Sequence, residues 1–218
     1  MRTENAVRAA TVNAWMTEAA EAVREQRDYL TQLDAAIGDG DHGTNMDRGF
    51  AAVEKALAGQ NGKLPPGRLL IVAGKTLVST VGGASGPLWG SALRAAGRSL
   101  GDAETFEGDA LASALDAAIA AVVDLGAAAP GDKTMVDALV PAAESLHRAL
   151  DAGAALQDAI AAASEAAEAG AKATVPLLAR KGRASYLGER SIGHQDPGAT
   201  SAVLILRALE RAVAAEAA

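Results

Sequence analysis

Leu111, Leu115, Ile119 and Val122 recur at spacings of four, four and three residues, and this helical period returns along nearly the whole chain. Val12, Met16, Ala19 and Val23 form one such stripe, and Val203, Leu206, Leu209 and Val213 form another. Convincing strand alternation appears nowhere. Half of the residues are hydrophobic but only 3% are aromatic, and this alanine-rich balance favours close-packed helices over sheets. At 218 residues the chain is long enough for one large domain with a substantial core.

The pattern predicts about eight helices. The first runs from Val7 to Thr31, and an acidic loop separates it from a second over Asn45 to Leu57. A loop at Gln60 to Gly67 precedes a third helix over Leu69 to Val81, and a glycine-rich break leads into a fourth that ends at Leu100. A fifth covers Asp109 to Leu125, and Thr134 opens a sixth in a capping arrangement with Asp137. Pro141 should kink that helix or mark its first turn. A seventh spans Leu156 to Leu178, and the loop Arg180 to Pro197, long enough to be functional, precedes the last. Without repeats or a linker, the expectation is a single antiparallel all-α domain over residues 1–218.

Acidic residues outnumber basic ones by seven and no basic face stands out, which argues against nucleic acid or an anionic membrane as partner. The absence of cysteine excludes disulfides and thiolate metal sites. Arg2, Glu4 and Arg8 interrupt any signal-peptide core, and no apolar run approaches the roughly 20 residues of a membrane span, so a cytoplasmic location is expected.

Within Asp34 to Asn45 three carboxylates, Asp34, Asp39 and Asp41, crowd a stretch punctuated by glycines. Crowded carboxylates repel, and each needs a proton or a cation; Mg²⁺ resolves the conflict and keeps places open for phosphate oxygens. One such Asp would be an ordinary turn or cap residue, but three at this spacing point to metal. Gly38-Asp39-Gly40-Asp41-His42-Gly43 matches G-x-G-x-x-G in letters, yet no buried strand precedes it. An EF-hand fails too, since Gly43 and Thr44 stand where Asp or Asn and then Gly are required. His42 suits either a metal ligand or a hydrogen bond to phosphate. Gly82-Gly83-Ala84-Ser85-Gly86 can cradle an anion at a helix N-terminus, with the Ser85 hydroxyl adding a donor. Arg180-Lys181-Gly182-Arg183 supplies local basic density, and Asp196-Pro197-Gly198 reads as a helix start capped by Asp. His147 sits among charged residues and reads as exposed.

Four ordered motifs then make the chain resemble the ADP-binding L subunits of bacterial dihydroxyacetone kinases over nearly its whole length. They are Gly38 to Asn45, Val81 to Leu88, Pro130 to Met135 and Gly182 to Gly198. The resemblance implies an eight-helix barrel with nucleotide bound at one end. It implies two Mg²⁺ ions on Asp34, Asp39 and Asp41, and ADP (ATP when charged) on His42, Gly43, Thr44, Asn45, Ala84, Ser85, Gly126, Met135, Arg183, Asp196, Pro197 and Gly198. Arg183 and His42 would be the groups closest to the chemistry. Three aspartates and ADP carry about six negative charges, which two Mg²⁺ reduce to about two, with Arg183 and helix N-termini lowering the rest.

In such subunits the nucleotide stays bound as a relay. A phosphohistidine on an M subunit of the phosphotransferase system charges it, and the phosphoryl group passes to dihydroxyacetone on a K subunit. Exchangeable ATP in a two-subunit kinase for dihydroxyacetone or another short ketose is the nearest alternative. The chain's length, with no room for a fused substrate domain, favours the relay. A nucleotide-dependent regulatory module, touching a transcription regulator, is the alternative of another class.

Overall fold

The computed structural model describes residues 6–60 and 63–217. Arg2 and Glu4 lie outside the described residues, as do residues 61 and 62 of the loop expected at Gln60 to Gly67. Nine α-helices appear among the described residues: α1 (Ala9–Glu25), α2 (Arg27–Ile37), α3 (His42–Ala58), α4 (Pro66–Thr80), α5 (Ser85–Leu100), α6 (Gly108–Gly126), α7 (Val136–Asp151), α8 (Leu156–Ala173) and α9 (Pro197–Ala217). Among those residues, no helix is long and apolar enough to cross a membrane.

The expected first helix is two. It breaks at Gln26, whose backbone leaves the helical well (φ −97°, ψ 8°), and resumes to Ile37, so Asp34 rides on a helix rather than in the loop. Gln26 is neither Gly nor Pro, which is why the periodicity runs through it unmarked. Contrary to the strand-free expectation, Val7–Arg8 and Thr105–Phe106 pair antiparallel, Val7 opposite Phe106. The eighth helix stops at Ala173 rather than Leu178, because Val175 precedes Pro176 and that position disfavours helical backbone. Pro141 lies inside α7, and the helix continues past it as one element. α7 starts at Val136 with Met135 at its N-cap rather than at Thr134, and Thr134 and Asp137 bond in the turn before it: Asp137 Oδ2 accepts from the Thr134 N–H at 2.7 Å, and Thr134 Oγ1 from the Val136 N–H at 3.2 Å.

Eight helices close a ring. α1 packs on α3, and each of α3 to α8 packs on its successor, until α9 returns to α1. α2 stands apart, lying against α3, α9 and a 3₁₀ segment at Arg183–Ser191. The apolar stripes face inward, where Trp15, Leu70, Trp89, Leu139, Leu146 and Ile205 are buried. The Trp15 indole donates to Ile205 O at 2.8 Å, so the large ring enters the core with its one polar group satisfied.

Neighbouring helices approach closely where glycines meet. A Cβ added at Gly67 of α4 would lie 2.6 Å from Gly97 O of α5, and one at Gly74 would lie 2.6 Å from Gly90 O. α4 and α5 therefore touch backbone to backbone over most of their length. That contact fixes the turn between them, residues 81–84, at one end of the ring.

Candidate functional site

At that end lies a cavity of about 320 Å³ whose walls come from every motif quoted above. Asp34, Asp39, Asp41 and His42 form one side, and Gly82 to Ser85 another. Gly126 and the Lys133 to Val136 turn form a third, and Lys181 to Ala184 with Asp196 to Gly198 complete it. Leu88, Trp89, Val122, Ala128 and Met135 give the cavity an apolar interior suited to a flat ring.

The carboxylate turn is held by its own backbone. Asp34 reaches from the end of α2 across the loop, and its Oδ2 accepts from the N–H groups of Asp41 (2.9 Å) and His42 (3.1 Å) at the start of α3. Gly38 is required beneath that reach, since any Cβ there would run into the Asp34 carboxylate. Gly40 takes φ +73°, which lets the chain turn back into α3. One oxygen from each of Asp34, Asp39 and Asp41 lies within 4.8 Å of the others. Three carboxylate oxygens so close match the hard, oxygen-rich donor set that Mg²⁺ takes, with room for phosphate oxygens from the cavity. Arg183 Nε stands 2.9 Å from Asp39 Oδ2, tying the 3₁₀ segment to this turn.

His42 is buried between two hydroxyls, Ser85 Oγ at 3.1 Å from Nδ1 and Ser201 Oγ at 3.0 Å from Nε2. Ser201 donates to Gly198 O, so its lone pair faces His42 and Nε2 carries the ring proton; Nδ1 then accepts from Ser85. Burial pushes the imidazole's pKa down, against the pull of the Asp34 and Asp41 charges, which fits this neutral tautomer. His42 thus couples the glycine-rich turn to α9.

Not every expected contact borders the cavity. Gly43 backs onto α2, where a Cβ would meet Arg27 O. Thr44 is exposed on the first turn of α3. Asn45 is buried beside the turn at Gly82 and accepts from Arg48 Nη2 at 2.7 Å. His147, which reads as merely exposed, pairs with Asp116 of α6 at 2.9 Å. Nothing in the sequence marks Ser201, a single serine in a helix, and Lys133 stands inside the Pro130 to Met135 motif without a role of its own, because its partners are all main-chain oxygens.

Asp196 is buried, and its carboxyl is pushed up to about 7. Burial is the main cause, opposed by the Ala199 N–H that Oδ2 accepts at 2.7 Å; the Asp137 and Asp34 charges push it further up and Lys133 pulls it down. Because the folded state holds this proton more tightly than the unfolded one, stability attributable to Asp196 is present below about pH 4 and declines as pH rises toward 7. Asp196→Asn is therefore expected to flatten the fall in unfolding free energy between those limits, read by urea titration at several pH values. A slope equal to the parent's would show that Asp196 does not carry it.

A DAK2 domain model matches residues 36–211. The chain is 44% identical over 195 residues to the ADP-binding subunit of the PEP-dependent dihydroxyacetone kinase of Escherichia coli, covering 89% of this chain and 92% of that one. It is 40% identical over 201 residues to the ADP-binding subunit of the PTS-dependent kinase of Lactococcus lactis, covering 92% and 95%. Dihydroxyacetone kinase from C. freundii, solved in complex with AMP-PNP and Mg²⁺, superposes with a TM-score of 0.67 at 28% identity; the match covers 92% of this chain and 33% of that one.

Proposed function

The chain belongs to the DAK2 domain family, and from that membership we propose that it is the ADP-binding subunit of a phosphoenolpyruvate-dependent dihydroxyacetone kinase. The observation that carries the reading is the convergence of four motifs, spread over about 160 residues of chain, on one cavity that pairs a carboxylate cluster with an apolar slot. In this reading the slot takes the adenine, and the diphosphate runs toward the turn at Gly82 to Ser85 and the carboxylates. Asp34, Asp39 and Asp41 would hold Mg²⁺, as two ions, in the cytoplasm. Bound there, Mg²⁺ neutralises phosphate charge and orients the group in transfer.

The chain's own residues bind and align. The N-terminus of α5 offers N–H groups and a partial positive charge, and Ser85 is held by His42 so that its position is fixed. Arg183, already at the carboxylate turn, lies within reach of a terminal phosphate and offsets charge as the phosphoryl group moves. No nucleophile from this chain is needed: a phosphohistidine-bearing M subunit donates to ADP, and a K subunit presents the ketose.

Native mass spectrometry of the purified chain, followed by turnover assays with a K subunit, tests the proposal. Retained ADP with Mg²⁺, and dihydroxyacetone phosphate formed in a phosphoenolpyruvate-driven system, are expected. Recovery of protein that binds no nucleotide with Mg²⁺ would overturn nucleotide binding, and turnover with free ATP alone would overturn the relay.

A further inference from the structure

Lys133 is an unusual residue to find inside this wall. It is 1% exposed, and it adopts a left-handed backbone (φ +64°) that residues other than Gly, Asn and Asp seldom take. Its ammonium is enclosed by main-chain oxygens, with three N–H donors shared among Thr174 O (2.8 Å), Leu177 O (3.2 Å), His194 O and, at the longest distance, Val175 O (3.4 Å). Three of those carbonyls follow the C-terminus of α8, where a cation complements the helix dipole. Burial lowers the ammonium's pKa and the Asp196 charge opposes that, so the site is costly unless the cage repays it.

The cage joins segments that backbone and side-chain hydrogen bonds also link. Arg180 N donates to Asp132 O at 3.0 Å, and Gly193 N to Val175 O at 2.8 Å. Asp196 N donates to Thr174 Oγ1 at 2.9 Å, and Ala179 N to Ser191 Oγ at 2.9 Å. Lys133 sits at the centre of these links, between the turn that carries Met135 and the segment that carries Arg183 and Asp196 to Gly198. We propose that Lys133 is a positioning residue for nucleotide binding: its caged ammonium sets the distance between the Met135 turn and the Arg183–Gly198 wall of the cavity. This rests on the reading of the cavity as a nucleotide site. A neutral side chain would leave the Leu177 and His194 carbonyls without the ammonium donor, while Val175 O keeps the Gly193 N–H and Thr174 O keeps the Leu177 N–H, and that part of the wall would spread.

The test is a calorimetric titration of Mg·ADP into protein stripped of nucleotide with EDTA, below the unfolding transition of every variant. Failure of the parent protein to bind would count against the nucleotide site itself, not against Lys133. With the parent binding, Lys133→Met with parental helical ellipticity is expected to bind about tenfold more weakly or worse. Lys133→Ala should recover affinity with n-propylammonium, which restores a donor to the cage, but not with tetramethylammonium, which has none. A folded Lys133→Met within about twofold of the parent, or an equal response of Lys133→Ala to both amines, overturns the proposal. Should the variants not fold, the parent labelled with ¹⁵N-lysine decides. A slowly exchanging ε-ammonium signal that shifts on adding Mg·ADP is expected, and an unmoved signal overturns the proposal.

Discussion

Replacing Asp39 by alanine is expected to strip the protein of Mg·ADP, weakening binding by more than about a thousandfold, roughly 4 kcal/mol, while leaving helical ellipticity unchanged. The asymmetry follows from what Asp39 touches. It supplies one of three clustered carboxylate oxygens and pairs with Arg183, but among the described residues no backbone N–H of the turn donates to its carboxylate. Asp34→Ala should behave differently. Asp34 also accepts from two N–H groups at the start of α3, and losing such a cap costs about 1 kcal/mol of folding stability. Asp34→Ala should therefore lose both nucleotide and thermal stability, and Asp39→Ala nucleotide alone. Titration calorimetry and a melting curve on each protein separate the two roles. Nucleotide retention in Asp39→Ala at the parental level would remove that carboxylate from the metal site.

Gly97→Ala is expected to destabilise the fold by about 2 kcal/mol or more, even though alanine is the better helix former by about 1 kcal/mol. A Cβ at Gly97 would lie 2.9 Å from Ile71 Cγ1 and 3.1 Å from Ile71 N, besides meeting Gly67 O. Backbone atoms cannot turn aside as a side chain can, so α4 and α5 would have to part. Gly59→Ala is the control, since its nearest neighbour would be Ala56 O at 3.5 Å and its backbone is already helical. That change should be neutral or slightly stabilising. Chemical unfolding of both variants checks the pair, and equal effects would show that the close approach is not what decides. Because the same contact positions the turn at residues 81–84, Gly97→Ala should also weaken Mg·ADP binding, though far less than Asp39→Ala does.

Much of this architecture was legible because helix-forming periodicity and turn residues are local properties. The apolar stripes located the helices, and Gly and Pro marked most of their ends. Gln26 carries no such mark, so α1 and α2 read as one, and the helix that presents Asp34 was hidden inside a longer pattern. At the other end, Pro176 is the local signal that ends α8 short of Leu178, and the helical pattern of the alanine-rich run before it continues past that signal. The three aspartates announced themselves because like charges rarely crowd without cause. The slot did not: Leu88, Trp89 and Val122 have the spacing of ordinary core residues, and only closure of the ring shows that they floor a cavity. Lys133 is the extreme case. Every partner of its ammonium is a carbonyl, and carbonyls are the same at each position of every sequence.

The seam between α9 and α1 has a consequence for how the molecule comes into being. Every other joint in the ring links helices near in sequence, but this one needs residues 9–25 and 197–217 together. During synthesis the carboxylate turn leaves the ribosome well before Gly198 and Ser201, which oppose it through His42. A nascent chain therefore carries an open sheaf of helices with its apolar lining wet, and it depends on a late, long-range docking step that is intrinsically slow. Ligand capture and ring closure should then coincide in time, so that the first nucleotide to bind also reports that the ring has closed.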